Sequence, residues 1–359
     1  MYDFFIFLPF SVCLIWCATL GMNLKRNGRP GLLLLFFALV CSCLYLCHAI
    51  HFSMTQTGTV QWAEWLYLGC NLAVYPLFYL YIKSLTSKEV IGSWTPALFL
   101  PAFGILVAGA FTVRSESAFG IVRKVTAAMF ILEVAYVAVS GFRRLNSYRK
   151  SVENFYADTE DRLLSPTVAL LALFVMTSVA SAVANLVGRD AFRGSMLIAI
   201  PSMVFSTLLY FVFYFGDQCK YSYRDFEKDL EAEPRHAENQ PVTPEDVLFS
   251  RICSLMEEKK IYLRSGLKIT DLAAEAGTNR TYASKAINVK TGKSFSEFVT
   301  QYRINHALEL LKNQGAGAMK LSEIASASGF LSGNSFYKAF TKSMGMPPSE
   351  WVARNRAEN

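Results

Sequence analysis

The sequence predicts an all-α protein in two parts: a bundle of seven apolar helices of bilayer length, then a soluble helical domain built on an internal repeat. Three observations lead there. Hydrophobic residues make up 53% of the 359-residue chain and charged ones only 18%, against about 25% charged in an ordinary soluble domain. The charges are sparse before Gly216 and dense after it, so the two parts meet different solvents. The C-terminal third repeats itself, first at an offset of 52 residues and then of 53.

A helix needs about 20 apolar residues to cross a bilayer. Seven runs qualify: Phe4–Met22, Gly31–His51, Trp65–Leu85, Trp94–Val113, Val125–Phe142, Thr167–Val187 and Ser195–Gly216, the fifth being the shortest. Tyr and Trp gather at several ends, as interfacial anchors do. Pro76, Pro101 and Pro201 are expected to kink their helices. The first run follows "MYD", without a positive charge, and is itself followed by Lys25, Arg26 and Arg29. That order reverses a signal peptide and fits a first helix with its N-terminus outside. The loops agree. Lys83 and Lys88, then Arg143, Arg144, Arg149, Lys150 and Arg162, then Lys220, Arg224 and Lys228 fall on one side. Arg114, Arg123, Lys124, Arg189 and Arg193 fall on the other, with the Arg123–Lys124 pair the discordant one. Positive charge marks the cytoplasmic side, so the chain is expected to end in the cytoplasm.

The domain plan is residues 1–216 for the bundle, 217–243 for a cytoplasmic linker and 244–359 for the soluble domain. The linker opens as a charged, helix-compatible stretch, "YSYRDFEKDLEAE", and loosens at "PRHAENQPVTP". Its length, if flexible, spans about 30 Å. Six cysteines (Cys13, Cys17, Cys41, Cys43, Cys47, Cys70) lie inside apolar runs, and Cys219 and Cys253 lie beyond them. This is not the spacing of a disulfide framework. Cys43, Cys47, His48 and His51 have metal-ligand chemistry but no second cluster, so no metal or cofactor is expected.

In the soluble part, Pro244–Leu263 has helical periodicity. Then "KITDLAAEAG-TNRTYASKAINVKTG" (268–292) matches "KLSEIASASGFLSGNSFYKAFTKSMG" (320–345), with Phe330 the extra residue. Each copy follows the same physical logic. Thr270 or Ser322 is the expected N-cap, with Asp271 or Glu323 suiting the positive helix end. Gly277 or Gly329 ends the short helix, and Asn279 or Ser332 caps a second one. The buried stripe is Tyr282, Ala286 and Ile287 in one copy, and Phe336, Ala339 and Phe340 in the other. Ala273 and Ala325 let the helices cross closely. This is a helix-turn-helix, whose second helix enters the DNA major groove. Two in register, joined by an amphipathic helix over Phe295–Leu311, suit successive major-groove turns about 34 Å apart.

The stretches "ITDLAAEAG", "YRINHALELL", "EIASASGF", "SFYKAF" and "GMPPSEW" resemble the C-terminal DNA-binding domain of AraC/XylS-type bacterial transcription regulators. The resemblance covers Pro244–Arg354. Ala283 stands where that family usually has Leu, and "MPP" replaces the commoner "MTP". The usual cupin-like sensor is replaced by apolar spans, as in the membrane-anchored subset of the family. The resemblance implies a homeodomain-like two-motif domain that binds double-stranded promoter DNA. It also implies a place in the bacterial inner membrane, with a second copy of the chain and RNA polymerase as candidate partners. DNA reading falls to the second helix of each motif, about Asn279–Lys290 and Ser332–Ser343.

The outward positions of the first reading helix are Arg280, Thr281, Ser284, Lys285 and Asn288; those of the second include Asn334, Ser335, Lys338 and Lys342. Arg and Lys suit guanine O6/N7, and Asn suits adenine N6/N7. Each basic residue has phosphate as its alternative partner, and for Lys342 and Lys290 phosphate is the expected one. Arg303 is expected to brace the central helix or touch phosphate. From Pro241 to Asn359 there are 16 Lys and Arg against 11 Asp and Glu, which favours an anionic partner.

In the bundle, Glu133 is the one acid near the middle of a span, and an ionisable group there is a functional candidate. Gluing neighbouring helices is its alternative role, with Asn71, Ser181 and Asn185 as candidate partners. His48, His51 and Glu64 are expected near the outer surface. No phosphate-binding glycine loop or nucleophile–base pair points to an enzyme. The expected function is a membrane-bound transcription regulator that couples an unidentified stimulus or ligand to promoter binding. A transporter-like membrane protein with a regulatory DNA-binding tail is the alternative, and it lacks a visible inverted repeat.

Overall fold

The computed structural model describes residues 2–53, 61–90, 92, 94–112, 116–159, 165–187, 196–218, 223–231, 244–312 and 319–357. Arg114, Arg162, Arg189, Arg193, Lys220 and most of "PRHAENQPVTP" lie outside these, as does the side chain of Asn185. The described residues are helices and turns, with one isolated antiparallel bridge, Tyr156 to Lys268. They form two compact units that do not follow chain order. One is Met1–Asn146 with Leu164–Glu227, the other Ser147–Leu163 with Lys228–Asn359.

The first unit holds α1 (Tyr2–Met22), α2 (Leu24–Ser53), α3 (Gln61–Thr86), α4 (Leu100–Thr112), most of α5 (Glu116–Phe155), α6 (Ser165–Val187), α7 (Ala199–Asp217) and the start of α8 (Tyr223–Glu231). Among the described residues, five helices are long and apolar enough to cross a membrane: Tyr2–Met22, Leu24–Ser53, Trp62–Thr86, Gly120–Phe155 and Met196–Asp217. The fourth and sixth expected spans are shorter apolar helices, Thr95–Phe111 and Thr167–Ala182. In the fourth, residues Thr95–Phe99 wind as a 3-10 turn led by Pro96 before α4 begins. Pro101 and Pro201 fall in the first turns of α4 and α7, where proline is tolerated. The break in α2 lies instead at Gly28, with φ 58° and ψ −144°. The fifth span, shortest as an apolar run, lies in the longest helix, of 40 residues. Neither proline nor a cap stops it where the apolar run ends, and an Arg149–Glu153 pair of 2.7 Å supports its polar last turns.

An aromatic centre packs this unit. Phe78 stacks on Phe174 with ring centroids 3.8 Å apart, and Phe37 lies 5.6 Å from both Phe78 and Phe213. The outward faces stay apolar: Phe111 is 85% exposed and Leu132 69%, with Phe4, Phe103 and Ile200 also exposed. The end of α7 is fixed. The Asn27 amide donates to Asp217 at 2.6 Å, and the Tyr81 hydroxyl donates to the Gly216 carbonyl at 2.9 Å.

The second unit contains α9 (Glu245–Glu257), α10 (Ile269–Glu275), α11 (Arg280–Thr291), α12 (Phe295–Lys312), α13 (Leu321–Ala327), α14 (Gly333–Met344) and α15 (Pro348–Ala357). Helix α12 is the shared frame. It packs on α11 and also on α13 and α14. On one side α9, α10 and α11 bury Leu248, Ile252, Leu272, Ala283 and Ile287. On the other, Ile304, Ala307, Ile324, Ala325, Phe336, Phe340 and Trp351 form one apolar cluster. Two expected caps are corrected. The N-cap positions of the short helices are Lys268 and Lys320, not Thr270 and Ser322. The extended backbone needed at an N-cap falls two residues earlier. The carboxylates of Asp271 and Glu323 then accept the cap residues' backbone N–H groups, each at 2.9 Å.

Gly277 and Gly329 both adopt the left-handed conformation, φ +65° and +83°, but in different surroundings. A Cβ on Gly329 would lie 2.8 Å from the Leu263 Cα and the Tyr262 carbonyl oxygen, both backbone. On Gly277 it would meet only the flexible end of Arg251, at 3.4 Å. Gly277→Ala should therefore cost about 1–2 kcal/mol of left-handed strain. Gly329→Ala should cost about 3 kcal/mol or more, because overpacking adds to that strain. Urea unfolding of the detergent-solubilised chain, followed through hydrogen exchange of α10 and α11 for Gly277→Ala and of α13 and α14 for Gly329→Ala, compares them; equal costs would contradict this packing.

Candidate nucleic-acid interface

Each motif presents its second helix through the same local chemistry. The Asn279 side chain accepts from the Tyr282 backbone N–H at 3.0 Å and starts α11; Ser332 accepts from the Ser335 N–H at 3.0 Å and starts α14. Left-handed Gly292 and Gly345 end both helices. The inner faces are small or aromatic. Ala283, Ala286 and Ile287 are fully buried on α11, as are Phe336 and Phe340 on α14. The extra residue Phe330 is buried too, with its ring 5.4 Å from Phe336. These stripes fix which residues face outward.

On α11, Thr281 and Lys285 are exposed, and Arg280, Ser284 and Asn288 are half-buried. The Asn288 amide donates to the Ser284 hydroxyl at 3.3 Å, so those two share one patch. On α14, Asn334, Lys338 and Lys342 are exposed. Ser335 is half-buried, and its hydroxyl donates to the Ser332 carbonyl at 2.8 Å. Its oxygen also accepts the Ser332 backbone N–H at 3.3 Å, which gives Ser335 a capping role that sequence reasoning missed.

Three lysines of the reading helices rest against acids. Lys285 pairs with Glu245 at 2.5 Å, Lys290 with Asp246, and Lys342 with Glu297 at 3.5 Å. The Glu245 hydrogen bond, and then its charge, hold the Lys285 ammonium above its ordinary range. Glu297 is held below the usual carboxylate range, first by the Ser294 backbone N–H and also by Lys342. Such exposed pairs are weakly held, which leaves the ammonium groups available to another anion. The acids were not legible as partners, because Glu245 lies 40 residues before Lys285 in the chain.

Residues 272–354 match the family model described as a helix-turn-helix domain. This region is an AraC-type helix-turn-helix domain. Curated relatives include the uncharacterized HTH-type transcriptional regulator YfiF of Bacillus subtilis (strain 168). It is 32% identical over 99 residues, covering 26% of this chain and 30% of that protein. The HTH-type transcriptional activator RhaR of Escherichia coli (strain K12) is 25% identical over 111 residues, covering 31% and 37%. The chain thus spans about a third of the length of these relatives. Among solved structures, the DNA-binding domain of AdpA in complex with a target DNA is similar at 22% identity. It covers 31% of this chain and 95% of that one, with a TM-score of 0.28.

For the AraC-type domain, substitution separates base reading from phosphate contact. Arg280→Ala or Lys338→Ala should weaken operator binding by about 1–3 kcal/mol where the side chain reads a base. Binding to random DNA should change much less. Lys342→Ala should weaken both equally and lower the salt slope by about one. Titrations of operator and random duplexes at several salt concentrations distinguish the two. An equal loss on both DNAs would reassign Arg280 or Lys338 to the backbone.

Proposed function

We propose that the chain is a membrane-bound, sequence-specific DNA-binding transcription regulator. In this reading the apolar helices lie in the bacterial inner membrane, with seven crossings and the N-terminus outside. The AraC-type domain works in the cytoplasm. One observation carries it: a complete double helix-turn-helix, with both reading helices exposed, shares its chain with helices whose outward side chains are apolar. Outward phenylalanine and leucine in this number suit lipid rather than water. The two shorter apolar helices, α4 and α6, would supply the crossings beyond five.

Residues 1–216 would then serve as the sensing part, 217–243 as the linker and 244–359 as the reader. Three features support sensing. A cavity of about 110 Å³ lies within the first unit, where Tyr45, His48, Tyr67, Asn71, Tyr75 and Ser178 supply polar groups to an apolar wall. Glu133 on α5 keeps both carboxyl oxygens buried, with no hydrogen-bond partner among the described residues. An ionisable group at that depth is a functional candidate by default. His51 and Glu64, half-buried, pair with each other.

A reporter active only in the cytoplasm should work when fused after Gly216 and fail when fused after Thr57. The opposite pattern would put the reader on the wrong side for DNA. Glu133→Gln keeps the side-chain shape and removes the charge. It should fix transcription of the target promoters at one level, leaving membrane insertion unchanged. A variant that responds to growth conditions like the parent would assign Glu133 to helix packing alone.

A further inference from the structure

Residues 147–159, the last turns of α5 and the stretch that follows it, belong to the unit that holds the AraC-type domain. Their contacts there are dense. Tyr156 and Lys268 form an antiparallel bridge, and the Ala157 N–H donates to the Leu267 carbonyl at 2.9 Å. The Ser296 hydroxyl donates to the Ala157 carbonyl at 2.8 Å, and the Gly266 N–H to the Asp158 carboxylate at 2.9 Å. Phe155, Tyr156 and Ala157 are all buried. Asp158 and Arg303 form an ion pair at 2.6 Å, with side chains only 8% and 1% exposed. A pair this buried is costly to break, because removing one partner strands the other's charge.

The place of these contacts matters. Lys268 is the N-cap of α10, the first helix of the first motif. Two stretches of described chain pass from one unit to the other, α5 and α8. Both arrive at this residue. Helix α5 ends at Phe155, one residue before Tyr156. On α8, Asp229 accepts from the Tyr156 hydroxyl and pairs with the Lys268 ammonium at 3.0 Å. An unbroken helix transmits an axial shift or rotation to its end with little loss, whereas a flexible tether transmits neither.

We propose that Tyr156–Asp158 is the coupling joint of the protein. It is an extended internal segment that docks beside the first helix-turn-helix and makes the DNA-binding unit respond to α5. Asp158 latches the joint onto Arg303. The regulatory part of this proposal rests on the DNA-binding reading; the docking itself does not.

The full chain in lipid nanodiscs, with Asp158→Ala, tests it. Amide exchange over Gly266–Lys268 should rise at least tenfold, and by more than that of α11 and α14. Affinity for DNA fragments recovered with the parent should stay within threefold, and transcription from those promoters in cells should change at least fivefold. Asp158→Asn keeps an acceptor for Gly266 without the charge and should give intermediate exchange; it serves where the alanine variant does not fold. With diamide added as the oxidant, Ala157→Cys with Ser296→Cys should form a disulfide in native membranes, and cells given the same oxidant should hold transcription at one level. Unchanged exchange in both Asp158 variants, or loosened exchange with parent-like transcription, would overturn the proposal. A parent chain that binds no DNA would instead overturn the regulator reading, leaving the exchange result to decide the docking.

Discussion

One buried guanidinium holds the second unit together. Arg303 sits on α12, the helix both motifs share. Its Nε donates to the Tyr262 carbonyl at 2.7 Å and its Nη2 to the Arg264 carbonyl at 3.0 Å. Its other end pairs with Asp158, and its flat face lies 5.7 Å from the Phe330 ring. Four pieces of chain therefore converge on one side chain: the lead-in to the first motif, the turn of the second, the shared frame and the α5–α6 connection. A charge withdrawn from water is tolerated only when its donors are met. The positions of all four pieces are thus constrained together.

That constraint explains how two reading helices are held on one frame without a large core. Small residues, Ala283 and Ala286, let α11 lie close to its neighbours, while Phe336 and Phe340 anchor α14. The caps at Asn279 and Ser332 fix where each helix starts, and so which side chains face outward. Three of the outward lysines are loosely held in exposed pairs.

The repeat was legible because each copy carries its own caps, glycines and buried stripe within 25 residues or so, and local chemistry writes itself into local sequence. The second helix of each motif and the shared α12 followed from it, and Arg303, expected to brace the central helix or touch phosphate, braces it. The short-helix caps were misplaced because threonine and serine are stronger cap signals than lysine, while the capping was done by the following acids. The five long apolar helices were legible from composition, but the true length of α5 was not, since its last turns are polar. Asp158 gave no signal at all. It lies 145 residues from Arg303, in a stretch that reads as an ordinary loop, and only folding brings the two together.

The central claim is that a membrane-embedded bundle carries a DNA reader on its cytoplasmic side. Membrane vesicles of defined orientation test it most directly. Inside-out vesicles bearing the chain should bind labelled operator DNA, with a steep loss as salt rises, and right-side-out vesicles should not. Recovery of the intact chain in the soluble fraction, or equal binding by the two vesicle types, would contradict the account.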